Sequence, residues 1–240
     1  MYFLLSGEGP TDMGLCTNSM AICEGDQYEP GPMAIIVSQI VMQRMGFSFI
    51  ENRYCGFISR AEIVRKSDEL KPPKKSPRLP GSRTSKETLY FYSNARALAK
   101  LAIEKRAEIG DDDVIAVLFR DSDDKVSEKR TVWEIKRKSI EKGFQYEGFE
   151  QGVPMVPRPK SEAWIICAVK NNRYQNCGAL ENPSGKDGQP KVLKDELAGI
   201  LGYRPTRQQL CDMVNDGTID VNQIDMPSFG AFKQALVACL

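Results

Sequence analysis

Val114-Ile115-Ala116-Val117-Leu118-Phe119-Arg120-Asp121-Ser122-Asp123-Asp124 is an apolar run that ends in carboxylates. Five of its first six residues are large and apolar. A run of that length bounded by polar residues suits a strand buried on both faces, as in a parallel sheet. In open α/β sheets ligands bind outside the carboxyl ends of the strands, where Asp121, Ser122, Asp123 and Asp124 would sit. In an extended segment Asp121 and Asp123 point the same way. Like charges so close repel, and a hard divalent ion with oxygen ligands, Mg²⁺ above all, relieves them. The same residues also suit a solvated strand-to-helix turn.

Working outward, Tyr2-Phe3-Leu4-Leu5 predicts a first strand, stopped by the turn Ser6-Gly7-Glu8-Gly9-Pro10-Thr11-Asp12. Glu8 leaves that strand much as Asp121 leaves the later one. If the two strands are parallel neighbours, Glu8, Asp121 and Asp123 converge, and Asp12 shares the face of Glu8 if a helical turn begins at Pro10. An acidic surface loop is the alternative. Gly14 to Gly31 reads as an irregular loop. Pro32 then opens a helix with Met33, Ile36, Val37, Ile40 and Val41 on one stripe, closed by Gly46. A second strand is expected from Phe47-Ser48-Phe49-Ile50 toward Cys55-Gly56-Phe57-Ile58.

Residues 71–86 hold six basic residues (Lys71, Lys74, Lys75, Arg78, Arg83, Lys86), four prolines and no acid. Such a stretch packs no core. It is either a solvated loop or a basic flap that tracks the phosphates of a nucleic acid. A helix follows to Gly110, and Asp111-Asp112-Asp113 forms a solubilising turn. Lys125 to Lys142 predicts a charged helix closed by Gly143. Gly152 to Pro157 resembles an edge strand, where proline is tolerated. Arg158-Pro159-Lys160-Ser161-Glu162-Ala163-Trp164 leads into a buried helix, with Ser161 as its cap and Glu162 in its first turn. After a loop over 171–190 the chain reads as helical, and Phe229 and Phe232 belong to packing. No internal repeat is visible.

The 240 residues are 41% hydrophobic and 27% charged, with 33 Lys+Arg against 32 Asp+Glu. Bulk charge therefore neither favours nor opposes nucleic acid. There is no histidine. That excludes Ser-His-Asp and Cys-His nucleophile systems, His-ligated zinc and histidine general bases. The seven cysteines form no CxxC pair and are odd in number, so buried thiols are expected rather than a disulfide framework or zinc site. No apolar run is long enough to span a membrane, and the first residues lack the pattern of a signal peptide. The cytoplasm is the expected location.

A strand, a Glu-Gly turn and a later strand with Asp-x-Asp resemble the Toprim domain of topoisomerases, bacterial primases and overcoming-lysogenization-defect nucleases. The residues that carry the likeness are Leu4 to Asp12 and Val117 to Asp123. The Glu-Gly-x-Thr-Asp form is most similar to the nuclease-like branch and to small standalone Toprim-like proteins of bacterial defence loci. The resemblance implies an α/β fold with a central, largely parallel sheet flanked by helices. It implies a Toprim-like catalytic domain over residues 1–170, with a helical extension over 171–240 packed on it. It further implies a divalent-metal-dependent endonuclease in anti-phage or mobile-element defence, acting on DNA rather than RNA. Two Mg²⁺ or Mn²⁺ ions would be held by Glu8, Asp121 and Asp123, with Asp12 and Glu162 completing a second site. Glu8 could instead be the general acid or base, and Lys160 would steady developing negative charge. An ATPase or other defence-complex partner is implied, and no membrane. Two departures stand out: Asp replaces Glu at position 12, and the gap from Glu8 to Asp121 is long. The alternatives are a non-catalytic or partner-activated subunit, and an Asp-x-Asp phosphatase or phosphotransferase.

Overall fold

The computed structural model describes residues 1–71, 86–110, 113–123, 130–182 and 193–240. Its strands are β1 (Tyr2–Ser6), β2 (Gly14–Cys16), β3 (Ile22–Glu24), β4 (Tyr28–Pro30), β5 (Cys55–Ile58), β6 (Val114–Phe119) and β7 (Gly152–Met155). Its helices are α1 (Pro32–Met45), α2 (Arg60–Glu69), α3 (Lys86–Ile109), α4 (Arg130–Tyr146), α5 (Ser161–Val169), α6 (Leu193–Leu201), α7 (Arg207–Asn215) and α8 (Pro227–Val237). Five strands form one sheet in the order β3-β5-β1-β6-β7. β1, β5, β6 and β7 run parallel, and β3 is an antiparallel edge on β5. The chain is thus an α/β protein with a mostly parallel central sheet flanked by helices.

Every residue of β6 is fully buried, because helices cover both faces of the sheet. Alternate residues serve opposite cores. Phe3, Leu5, Ile115, Val117 and Phe119 pack with α1, α5, α7 and α8. Tyr2, Leu4, Val114, Ala116 and Leu118 pack with α3 and α4. Trp164 of α5 stacks on Phe232 and meets Phe229 edge-on, and its indole N–H donates to the Ser228 hydroxyl at 2.8 Å. The C-terminal helices therefore share a core with the first strands.

Several local expectations change in three dimensions. The segment Phe47–Ile50 turns instead of pairing, and only Cys55–Ile58 enters the sheet. The stretch from Gly14 to Gly31 holds three short strands, with β2 and β4 paired as a separate ribbon. Gly143 does not end a helix but lies inside α4. A Cβ there would stand 2.5 Å from the Tyr92 carbonyl oxygen and 2.7 Å from the Ala95 Cβ, so glycine permits the close α3–α4 crossing.

The cysteines also depart from expectation. Cys16 pairs with Cys23, and Cys167 with Cys177, at Cα separations of 5.6 and 5.3 Å. Partners seven and ten residues apart carry no sequence signature, since proximity across a turn, not parity of the count, makes a bridge possible. Cys55, Cys211 and Cys239 are free. No helix among the described residues is long and apolar enough to cross a membrane.

Two outcomes test this packing. Gly143→Ala should lower stability by about 1–3 kcal/mol in urea unfolding, because overpacking outweighs the gain in helix propensity. Denatured without reductant, the chain should react with a thiol reagent at three cysteines and, after reduction, at all seven.

Candidate functional site

Three segments meet at the carboxyl ends of β1 and β6. The first is the turn after β1. Met13 is fully buried against Gly7, where a Cβ would lie 2.8 Å from the Met13 Cγ. The Met33 N–H at the start of α1 donates to the Asp12 carbonyl at 3.0 Å. Glycine at position 31 lets that helix start approach, since a Cβ there would stand 2.2 Å from the Asp12 carbonyl oxygen. The backbone of Asp12 is thus pinned between two elements.

The second segment follows β6. The N–H groups of Arg120, Ser122 and Asp123 donate to the carbonyls of Met155, Pro157 and Pro159 at 3.0, 3.2 and 3.0 Å. The fully buried Lys136 of α4 donates to the Ser122 carbonyl at 2.6 Å. At Asp123 the chain turns into the left-handed region, with φ 49°. The third segment is the start of α5. The Ser161 N–H donates to the Asp121 carboxylate at 3.0 Å, and its hydroxyl to the Asp12 carboxylate at 3.3 Å. One serine therefore couples acids that are 109 positions apart in the chain, 121 less 12.

The carboxylates crowd one another. Burial pushes the Asp12 carboxyl up to about 6, and the charges of Glu162 and Glu8 add to the effect. Asp121 is raised well above the ordinary carboxylate range by burial, then by Asp12, Glu162, Glu8 and Asp123. Glu8 is raised by burial, with Arg120 the strongest opposing charge. Arg120 is fully buried beside it and donates from Nη1 to the Phe119 carbonyl at 2.6 Å. One oxygen of Glu162, Oε2, is buried with no hydrogen-bond partner among the described residues, while Oε1 lies 4.0 Å from the Lys194 Nζ.

The structure thus brings Glu8, Asp12, Asp123 and Glu162 within electrostatic reach of Asp121. Asp123 differs from expectation. It does not share an extended segment's face with Asp121, because its backbone has turned, and its half-exposed carboxylate stands 3.6 Å from the Lys160 Nζ. Lys160 is buried and placed against that carboxylate. Ser161 is the first residue of α5, and Lys160 occupies its cap position. Lys71 is exposed and paired with Asp68. Lys74, Lys75, Arg78, Arg83 and Asp124 lie outside the described residues, as does the side chain of Lys86.

Sequence patterns missed the cations that share a cavity with these acids. A cavity of about 160 Å³ is lined by Asp12 and Glu162 together with Lys194, Arg204 and Arg207 of the α6–α7 region. No motif marks these residues, since they reach the site only through packing. Chemically, carboxyl groups of this kind can exchange protons near neutral pH or hold a hard cation. Among the described residues no group of three or more acidic or cysteine side chains is arranged to hold a metal ion. One or two carboxylates with water completing the shell do fit Mg²⁺.

No family model and no curated protein matches the chain. A solved structure from Parabacteroides merdae, described as a GDSL-like lipase, is similar at 15% identity and TM-score 0.31. The match covers 84% of this chain and 95% of that one. The expected membership of the Toprim family is therefore corrected: no family model and no curated protein supports it. The metal-dependent nuclease function that rested on that membership is withdrawn with it.

The crowding has a measurable sign. Asp12 holds its proton up to about 6 when folded, against 3.8 for an unperturbed aspartate, so the folded state binds more protons between those values. Stability then falls as pH rises from about 4 to about 6. In EDTA, Asp12→Asn should be more stable than wild type at pH 7.5, by on the order of 1–2 kcal/mol. The difference should vanish below pH about 4, as read by urea unfolding across the range.

Proposed function

We propose that the chain binds one hard divalent cation, Mg²⁺ or Mn²⁺, at the carboxyl ends of β1 and β6, and through it a small anionic ligand. The supporting observation is the set of Glu8, Asp12 and Asp121, each holding its proton more tightly than an ordinary carboxylate because of burial, reinforced at Asp12 and Asp121 by neighbouring acids. Such a set is relieved either by protons or by a cation. Asp12 and Asp121, linked through Ser161, would hold the ion. Glu8 and Glu162 would accept from water bound to it. Mg²⁺ commonly keeps several waters and uses one or two carboxylates, which fits this donor set better than a cage of acids. When bound, the ion supplies positive charge to an oxyanion.

Ser161 then acts as a spacer that keeps the two aspartates oriented. Asp123, paired with Lys160 at 3.6 Å, would stand outside the ion's direct ligands. The ligand is small, because a cavity of about 160 Å³ falls below the roughly 300 Å³ at which drug-sized pockets begin.

Mn²⁺ binding followed by electron paramagnetic resonance tests the proposal. Wild-type protein should bind Mn²⁺, and Mg²⁺ should compete. Asp12→Asn and Asp121→Asn should each weaken binding by roughly tenfold or more, at least what loss of a supporting group costs a metal site. Asp123→Asn should change it less. No bound Mn²⁺ at millimolar concentration, or equal affinity in the Asp12/Asp121 double variant, would show instead a protonated, hydrogen-bonded cluster.

A further inference from the structure

Building on the cation site, we propose that the adjoining cavity takes a small organic phosphate. Its head would lie between the ion and the side chains of Lys194 and Arg204, and its apolar body on the apolar part of the cavity. The lining carries both charges: the carboxylates of Asp12 and Glu162, and the cations of Lys194, Arg204 and Arg207. Met33, Ile165, Leu197 and Leu210 give the same cavity an apolar part.

The three cations are not equivalent. Arg207 is committed: its guanidinium pairs with the Glu29 carboxylate and donates to the carbonyls of Glu29 and Pro30. It fixes the lining. Lys194 stands 4.0 Å from Glu162, the outer limit of a salt bridge, and its side chain is 55% exposed. Arg204 pairs with Asp195 at 2.6 Å, but the two side chains are 78% and 60% exposed. Exposed pairs of that kind contribute little, so both heads can turn toward a ligand anion.

An anion alone would be repelled by Asp12 and Glu162. A divalent ion beside those carboxylates reverses the sign, and a phosphate can then bridge from the ion to the lysine and arginine. Mg²⁺ is characteristically held by one or two carboxylates together with substrate phosphates, and a guanidinium matches phosphate oxygens in pairs. The apolar part would be wasted on inorganic phosphate, which has no carbon to bury. A short aryl or alkyl group attached to the phosphate covers it.

Calorimetric titration with phenyl phosphate at saturating Mg²⁺ tests this, with inorganic phosphate and phenol as controls. Phenyl phosphate should bind about tenfold tighter than inorganic phosphate, as burial of a small apolar group allows, and phenol should not bind. Arg204→Ala and Lys194→Ala, at exposed positions, should each weaken phenyl phosphate several-fold. Leu210→Ser should abolish the preference over inorganic phosphate, with folding checked by circular dichroism. Equal affinity for the two phosphates, indifference to both cation substitutions, or equal affinity in EDTA would overturn the proposal. Mn²⁺ titration without phosphate separates the two ideas: a chain that binds Mn²⁺ but no phenyl phosphate keeps its cation site and loses only this ligand.

Discussion

Parallel pairing of β1 with β6 is the constraint on which the rest depends. With Ser6 opposite Leu118, both strands deliver the chain to the same edge of the sheet. The segments that leave them must share that space, and both segments are acidic. The fold thus sets buried and half-buried carboxylates side by side, a cost that hydrophobic burial elsewhere offsets. Crowding of this kind is seldom retained without a proton or a cation to relieve it.

The start of α5 organises that crowding. Ser161 reaches Asp121 with its backbone and Asp12 with its hydroxyl, while Trp164 one turn later is locked among Phe229, Phe232 and Ser228. Positioning at the site is therefore transmitted from the core that α8 completes. The α6–α7 region adds the cations of the cavity. Residues beyond 170, which have no motif of their own, thus finish both the core and the pocket.

Much of this was legible in the chain. The buried central strand, the helix from Pro32 to Gly46 and the edge strand with Pro154 follow from apolar runs, proline and glycine, and the structure holds them. The convergence of Glu8 with Asp121 follows from strand ends alone. The family resemblance went further than its short motifs allowed, because a few acidic residues after strands recur in many α/β proteins. The common face read for Asp121 and Asp123 changes for a local reason: alternation holds only while the chain stays extended, and at Asp123 it turns, although the two acids still interact. The disulfides failed for another, since no count of cysteines encodes which of them meet.

By itself the sequence determined which segments must be buried, where helices begin, and, through the absence of histidine, which chemistries are closed to the protein. These are properties of composition and short period, and they survive without knowledge of the fold. Only the tertiary structure decided that Asp12 shares a serine with Asp121, that Lys160 pairs with Asp123, and that Lys194 and Arg204 line one cavity with Glu162. Those relations join residues far apart in the chain, and such proximity exists only once the sheet has set the ends of its strands beside one another.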